Sequence, residues 1–495
     1  MKFKIKFSET KKIKIPKSRF VYVRFTEDEN IDDVLEIFGI NADKKKIKDF
    51  GKKDLTTLKF TPADDIFSTV TVKKIDAEKI NADFFRNALA QVIIDADKKT
   101  EKLIIDFPRT GEFIEKTFGD FDRYFQSLVE GVLLGNYKFD KYKSEKEKPA
   151  ELKAEFINAE KMKLKPLFTK AENIAAAVYF ARDLVNEPAN VLTPQEFAKR
   201  IKAEFKGTGV KVEILTAEQL RKRKMTALLS VGQASVNPPL LVKLTYKGKK
   251  PKDKIALVGK GVMYDAGGLS LKPTSSMLDM KGDMAGAAAV AGILKAASSL
   301  ELPFELYGVI PVVENVISGN AYKPGDILKT SSGKTIEIGN TDAEGRLILA
   351  DALEFAEKLK PNKIFDFATL TGACVVALGE SYAGLFTESD DIAKKILQAS
   401  DFSYEKIWRM PMPKEYDEML KSELADISNI GNSRWGGAIT AALFLKFFVS
   451  EEMRKNWAHF DIAGPALKHN QSSYTKKYAT GYGVRLITEY LQKAF

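Results

Sequence analysis

Ile255-Ala-Leu-Val-Gly-Lys-Gly-Val-Met-Tyr-Asp-Ala-Gly-Gly268 is the stretch on which the fold turns. Ile255–Val258 are apolar without alternation, the pattern of a strand covered on both faces by helices. The run ends at Val258, and Lys260 and Asp265 follow as the chain leaves the strand. Open α/β sheets bind ligands at that carboxyl edge. A solvated lysine and a turn aspartate ahead of two glycines account for the same residues. Lys272, in Leu269-Ser-Leu-Lys-Pro273, adds a second lysine.

Outward from this segment, strand and helix patterns alternate. Val210–Leu215, Leu240–Tyr246, Glu305–Val312 and Lys363–Phe367 read as strands. Ala171–Leu184, Gly286–Ala297 and Arg346–Leu359 read as helices, and Thr193-Pro194 marks another helix start, with Thr as N-cap and Pro at the first helical position. The class is α/β with a mixed, mostly parallel sheet flanked by helices. Toward the N-terminus, Met1–Phe7 and Ser18–Phe25 read as strands. Asp83–Ala96 reads as a helix capped by Asp83, with Phe85, Ala88, Leu89, Val92 and Ala96 on one face. Leu103–Phe107 is a strand stopped by Pro108. Residues 138–165 turn polar and charged, suiting a boundary loop and connecting helix. The expected division is a smaller N-terminal α/β domain with its linker helix at 1–165 and a larger α/β domain at 166–495.

Composition narrows the class. The chain has 495 residues, 44% hydrophobic and 29% charged, which is a globular balance and too long for one hydrophobic core. No stretch approaches the ~18 uncharged apolar residues of a membrane span. The N-terminal alternation of charged and apolar residues lacks the apolar block of a secretory signal, so a cytoplasmic protein is expected. Cys374 is the single cysteine, which forbids an intramolecular disulfide.

His459 and His469 are the whole histidine supply. No His-Glu-x-x-His helix and no Gly-x-Ser-x-Gly elbow occurs, so zincin-type proteases and the common serine-hydrolase elbow are excluded. Hydrolytic or metal chemistry must therefore rest mainly on carboxylates and lysines. Net charge is +11, with 11 basic against 3 acidic side chains in residues 201–250. Arg221–Lys224 and Lys247–Lys252 read either as a nucleic-acid patch or as a helix end and a turn. The second reading is preferred because no aromatic residues interleave with the charges.

Two further segments carry acidic groups. Met280-Lys-Gly-Asp283 precedes a helix of small residues, where Asp283 alone reads as an N-cap. Gly339-Asn-Thr-Asp-Ala-Glu-Gly-Arg-Leu347 contains Thr341-x-x-Glu344, which matches a capping box. A cap needs only two of these residues. Asp342 and Glu344 are two apart, so in extended chain both carboxylates point one way. Asp265, Asp283, Asp342 and Glu344 together cannot all stay ionised in a buried cleft without cations. Lys260, Lys272 and Arg346 balance them only in part, and two divalent metals would complete the balance.

These segments resemble the cytosolic leucyl aminopeptidase family of two-metal exopeptidases. Asn340-Thr-Asp-Ala-Glu-Gly-Arg-Leu347 looks identical to that family's signature octapeptide. The similarity extends to Asn186-Glu-Pro-Ala-Asn190 with Leu192-Thr-Pro194, Ala368-Thr-Leu-Thr-Gly-Ala373, Trp457-Ala-His-Phe-Asp-Ile-Ala-Gly464 and Gly481-Tyr-Gly-Val-Arg485. It covers roughly residues 170–490, and residues 1–165 match only in outline the family's smaller macro-type domain. The resemblance implies that Lys260, Asp265, Asp283, Asp342 and Glu344 are metal ligands, with Asp265 and Glu344 contacting both ions. It implies that Lys272 is the catalytic lysine and that Arg346 holds bicarbonate as general base. It places Met280 and Thr369 in the pocket for the first side chain. It further implies two divalent ions, Zn or Mn, peptide substrates with a free N-terminus, a bridging hydroxide as nucleophile, and a homohexamer. DNA-binding regulation on the same scaffold is the alternative. Ala266 departs from the family's common Ser or Thr, removing a hydroxyl beside a ligand but no ligand itself. His459 is expected to be a hydrogen-bonded core histidine, Cys374 a packing residue, and Ser332-Gly-Lys-Thr335 a hairpin turn rather than a phosphate loop, since Leu328 stands at the first glycine position.

Overall fold

The computed structural model describes all residues except 12, 28–29, 51–56, 63–67, 76–79, 109–110, 147, 158–162, 471, 476 and 494–495. The chain forms two compact units. One is Met1–Ala175 with Ser472–Thr475, and the other is Ala176–Gln471 with Lys476–Phe495. The division falls inside one long helix, Lys165–Asn186.

Six strands build the first unit: β1 (Phe3–Thr10), β2 (Phe20–Thr26), β3 (Thr57–Phe60), β4 (Thr69–Lys74), β5 (Lys102–Asp106) and β6 (Ala150–Ile157). Their order is β1–β6–β5–β2–β4–β3, parallel except for the antiparallel β3–β4 pair. β6 corrects the expected loop and connecting helix. It lies between β1 and β5, and Leu152, Ala154 and Phe156 face the core while Glu151 and Lys153 face solvent. The strand signal was a period of two within charged residues. Residues 158–162 of the same expected connector lie outside the described set. The helix Ala82–Asp95 buries the expected Phe85, Ala88, Leu89 and Val92, but Asn81, not Asp83, caps it by accepting from the Phe84 N–H. An aromatic cluster fills this core. Phe85 meets Tyr124 edge-on at 5.3 Å, and Phe125 packs against Phe156 at 5.0 Å.

The second unit carries β7 (Lys211–Leu215), β8 (Leu240–Lys247), β9 (Asp253–Gly259), β10 (Gly261–Asp265), β11 (Phe304–Asn315), β12 (Ile327–Lys329), β13 (Thr335–Glu337), β14 (Lys363–Ala368), β15 (Ala383–Phe386), β16 (Ile407–Arg409), β17 (Ile427–Ser428) and β18 (Trp457–Asp461). Nine of them form one mixed sheet ordered β16–β15–β18–β14–β9–β11–β8–β7, with β10 also paired to β11. The centre, β18–β14–β9–β11, is parallel, and the antiparallel pairs lie toward the edges. The segment Gly261–Asp265, read from sequence as a strand-end loop, is itself a strand parallel to β11. Asp265 therefore ends a strand.

Helices cover the sheet as the unalternating strands require. On Glu344–Glu357, Leu347, Ile348, Leu349 and Leu353 are fully buried, each stabilising by about 1.5–3 kcal/mol. The helix Ala285–Ser299 is built of small residues because it comes close to the sheet. A Cβ on Gly286 would sit 2.0 Å from the Phe367 carbonyl oxygen and 3.0 Å from the Lys260 nitrogen. Thr193 caps Pro194–Glu204 as expected. β12 and β13 form the expected hairpin around Ser332–Thr335.

His459 is fully buried in the core, its Nδ1 2.5 Å from Asp366, which also accepts from the Trp457 indole N–H. Cys374 is buried and unreactive in character, its thiol pushed up to about 12 by burial and by Asp461. The two basic runs do not merge into one stripe. Arg221–Lys224 follows Leu215, which pairs with Leu241 at one end of β8, whereas Lys247, which opens the second run, pairs with Glu305 at the other end. Among the described residues, no helix is long and apolar enough to cross a membrane.

Candidate metal centre

The carboxyl ends of the central strands converge on one acidic site. Lys260 follows β9, Asp265 ends β10, Asn315 ends β11, Thr369 follows β14 and Asp461 ends β18. Two helix starts complete the site: Asp283 stands just before Ala285–Ser299, and Glu344 opens Glu344–Glu357.

Neither expected capping arrangement forms. Asp283 makes no cap for the helix that follows, whose N-cap position is Met284. Ala343 is the N-cap residue ahead of Glu344, again without a side-chain cap. Thr341 instead donates its hydroxyl to the Gly267 carbonyl and accepts from the Ser270 N–H, tying the two acidic loops together. Asp283 and Glu344 are thus not spent on capping, while Asp265 Oδ1 accepts from the Gly267 N–H at 2.9 Å.

Asp265, Asp342 and Glu344 each bring a carboxylate oxygen within 4.8 Å of the others. The Lys260 ammonium lies 2.8 Å from Asp283 Oδ1 and 2.8 Å from Glu344 Oε1, and donates to the Thr369 carbonyl at 2.9 Å. Lys272 lies 2.9 Å from Asp265 Oδ2 and also pairs with Asp342. Met280, half-buried, is in the 3-10 turn Leu278–Gly282, which leads into Asp283, and the Thr369 hydroxyl donates to Asp283 Oδ1. Arg346, buried on the first turn of its helix, donates through Nη1 to the Asn429 carbonyl. All nine residues expected from the sequence therefore lie on the carboxyl-edge loops, strand ends and helix starts of one unit.

Electrostatics show how crowded the centre is. Burial, with Glu344 next, pushes Asp265 up to about 6 against the pull of Lys272. Burial also raises Asp283 well above the usual carboxylate range and raises Asp342. Glu344 is the exception. Burial alone would raise it, but Lys260 outweighs burial and holds it low. Burial alone would likewise lower Lys260, yet Asp283, Glu344 and Asp265 hold it above the ordinary lysine value.

The donor set fits divalent cations. Four carboxylates face two ammonium groups, which leaves net negative charge in a buried site. Asp283 Oδ2 is buried and has no hydrogen-bond partner. Carboxylate oxygens suit hard or borderline divalent ions. A bound cation also lowers the pKa of a neighbouring lysine enough for it to bind as the neutral amine.

Residues that the sequence did not single out hold these side chains and loops in place. Asn315 donates to Asp265 Oδ1 at 2.8 Å and to the Thr341 carbonyl at 3.0 Å. Tyr322 donates to the same carbonyl at 2.7 Å. Asp461 accepts from the Thr371 hydroxyl and the Leu370 N–H, fixing the loop that presents Thr369. Such partners orient metal ligands. Their only sequence signal is a polar residue ending an apolar strand, as Asn315 and Asp461 do.

A carboxylate-and-lysine metal centre at the carboxyl edge of a mixed sheet is the class of site this unit defines. Residues 179–488 match the model of the cytosol aminopeptidase family, catalytic domain. A probable cytosol aminopeptidase from Aquifex aeolicus is 44% identical over 426 residues, covering 84% of this chain and 83% of its own. Among solved structures, a tomato leucine aminopeptidase mutant superposes with TM-score 0.84 at 33% identity, over 99% of this chain and 96% of its own. The bottromycin maturation enzyme BotP in complex with Mn gives 0.82 at 33% identity, over 96% and 99%. This chain belongs to the cytosol aminopeptidase family. It is a metal-dependent aminopeptidase, a hydrolase acting on peptide bonds.

Proposed function

We propose that the enzyme removes an N-terminal residue, with Leu and other apolar residues favoured, from peptides with a free amine. Lys260, Asp265, Asp283, Asp342 and Glu344 would hold two divalent ions, Mn or Zn, with Asp265 and Glu344 shared between the two. The observation that carries this reading is the gathering of Asp265, Asp342 and Glu344 oxygens within 4.8 Å while Asp283 Oδ2 is buried without a partner. When bound, such ions would supply Lewis acidity and an activated water for attack on the peptide carbonyl.

The chain's own residues do the rest. Lys272 stays protonated. Burial alone would lower it, but Asp265 and Asp342 hold it above the ordinary value. Its ammonium stabilises the oxyanion. Arg346, which burial brings down to about 10, remains charged at neutral pH. Its Nε is buried without a partner, which supports an anion, bicarbonate, held there as proton relay in place of a histidine. Met280 and Thr369 flank Asp283 and line the pocket for the first side chain. An apolar pocket separates side chains differing by one methylene by only ~1–3 kcal/mol, so the preference is broad.

A homohexamer accords with Leu278, Val376 and Trp435, which are 78%, 90% and 67% exposed on the single chain. The name of the cytosol aminopeptidase family supports a cytoplasmic location. Duplex DNA remains the alternative partner, and a salt-dependent mobility shift at Arg221–Lys224 tests it. The decisive assay of the main reading is the rate on a panel of aminoacyl peptides and their N-acetylated forms. Hydrolysis of leucyl and methionyl peptides, and none of the acetylated forms, is expected. Comparable cleavage of an acetylated peptide would refute it.

A further inference from the structure

Asn429 is fully buried just beyond β17, and every polar group it owns is engaged. β17 pairs in parallel with β13, matching Ile427 to Ile336 and Ser428 to Glu337. The Asn429 N–H extends that ladder by donating to the Glu337 carbonyl at 2.9 Å. The next rung is made by the side chain. Its Oδ1 accepts from the Gly339 N–H at 2.7 Å and the Asn340 N–H at 3.3 Å, and its Nδ2 donates to the Asn340 carbonyl at 2.7 Å. The carboxamide has the donor and acceptor of a peptide group, so it replaces a backbone unit against the segment that leads into Asp342 and Glu344.

That substitution releases the real backbone carbonyl of Asn429, which accepts from Arg346 Nη1 at 2.7 Å. Among the described residues, this is the only hydrogen bond of the Arg346 guanidinium, whose Cζ lies 5.9 Å from the centre of the Phe444 ring. One residue thus fixes both the start of the acidic motif and the arginine two residues beyond it. Asn340 in turn accepts from the Asp342 N–H through Oδ1 at 2.8 Å, carrying the same clamp to the carboxylate.

We propose that Asn429 is a positioning residue that sets the orientation of Arg346, and hence of the anion Arg346 holds, relative to the metal ligands. This rests on the function proposed above for Arg346. A hydrogen bond from a charged donor is among the stronger ones, so losing its orientation is expected to lower kcat on the order of 10-fold. A purely structural residue gives a loss that adds to any other, whereas a residue acting through Arg346 does not.

The experiment is a double-mutant cycle on the metal-loaded full-length enzyme, using Asn429→Ala and Arg346→Ala. Bound metal per chain and the dependence of kcat on bicarbonate are measured alongside. Asn429→Asp, which keeps the shape and the Oδ1 acceptor but replaces the Nδ2 donor with an oxygen facing the Asn340 carbonyl, stands in if the alanine variant does not fold. Expected are about a 10-fold loss of kcat in the single Asn429 variant, two ions per chain retained, a higher bicarbonate requirement, and little further loss in the Arg346→Ala background. Multiplicative losses, or an unchanged bicarbonate response, would overturn the positioning role. An Arg346→Ala enzyme with unchanged kcat would instead remove the role proposed for Arg346 itself, and the two failures are thereby distinguished.

Discussion

Gly345→Ala is a sharp test because the site leaves no room for one methyl group. A Cβ at Gly345 would lie 2.5 Å from Lys260 Cε, 2.6 Å from Nζ and 2.8 Å from Cδ. Comfortable carbon contacts begin near 3.5 Å, so the end of Lys260 must move by about 1 Å. That end is the flexible part of the side chain, and the backbone can stay in place. Overpacking costs roughly 1–3 kcal/mol, offset by ~1 kcal/mol of better helix propensity, so the net destabilisation is on the order of 1 kcal/mol. The ammonium cannot stay at 2.8 Å from both Asp283 and Glu344 once it is displaced. A 1 Å misplacement at a reacting centre lowers rate on the order of 10²-fold, and disturbing the surroundings of metal ligands weakens affinity about 10–100-fold. The assay measures kcat/KM on a leucyl peptide, bound metal after dialysis and thermal unfolding on one preparation. The expected result is a cooperative unfolding transition close to the parent's, weak retention of one of two ions, and a rate loss near 10². Two tightly held ions with parental kcat/KM would refute Lys260 as a ligand.

Asp265→Ala and Glu344→Ala each abolish activity and lower metal content, because each is assigned to both ions; two ions retained after dialysis in either variant would contradict that. Lys272→Ala keeps both ions and loses on the order of 10²–10³ in kcat, as removal of one oxyanion donor does, and loss of one ion would mean its role and that of Lys260 are exchanged. Metal affinity rises with pH. Asp265, at about 6, and the raised Asp283 take up protons in acid, and Lys260 carries one at neutrality. Each proton must leave before a cation binds, so affinity falls about tenfold per pH unit for each such group below its pKa. Mn titrations from pH 5 to 8 check this, and a pH-independent affinity would refute it.

Much of the site was legible because its residues serve no packing purpose. Asp342, Glu344 and Arg346 crowd into a helix start where a capping box needs two side chains, and that surplus marked the site. The same local logic failed where tertiary contacts reassigned a residue. Thr341 and Asp283 look like caps in sequence, but Gly267 and Ser270 claim Thr341, and Lys260 and Thr369 claim Asp283. β6 was hidden because Ala150–Ile157 alternates charged and apolar residues beside a charged loop, and only pairing with β1 and β5 makes it a strand. Asn81 prevailed over Asp83 as the helix cap because an N-cap must precede the first helical residue, which is Ala82. The contacts of Asn315 and Asn429 at the site were invisible in the sequence because their partners lie 50 and 90 positions away in the chain.

The most direct test of the two-ion centre is a Mn titration of the metal-free enzyme, followed simultaneously by bound ions per chain and by hydrolysis of a leucyl peptide. Activity should be absent without metal, appear as occupancy approaches two ions per chain, and be withheld from the N-acetylated peptide throughout. Full activity in the presence of excess chelator, or saturation of activity at fewer than two bound ions, would contradict it.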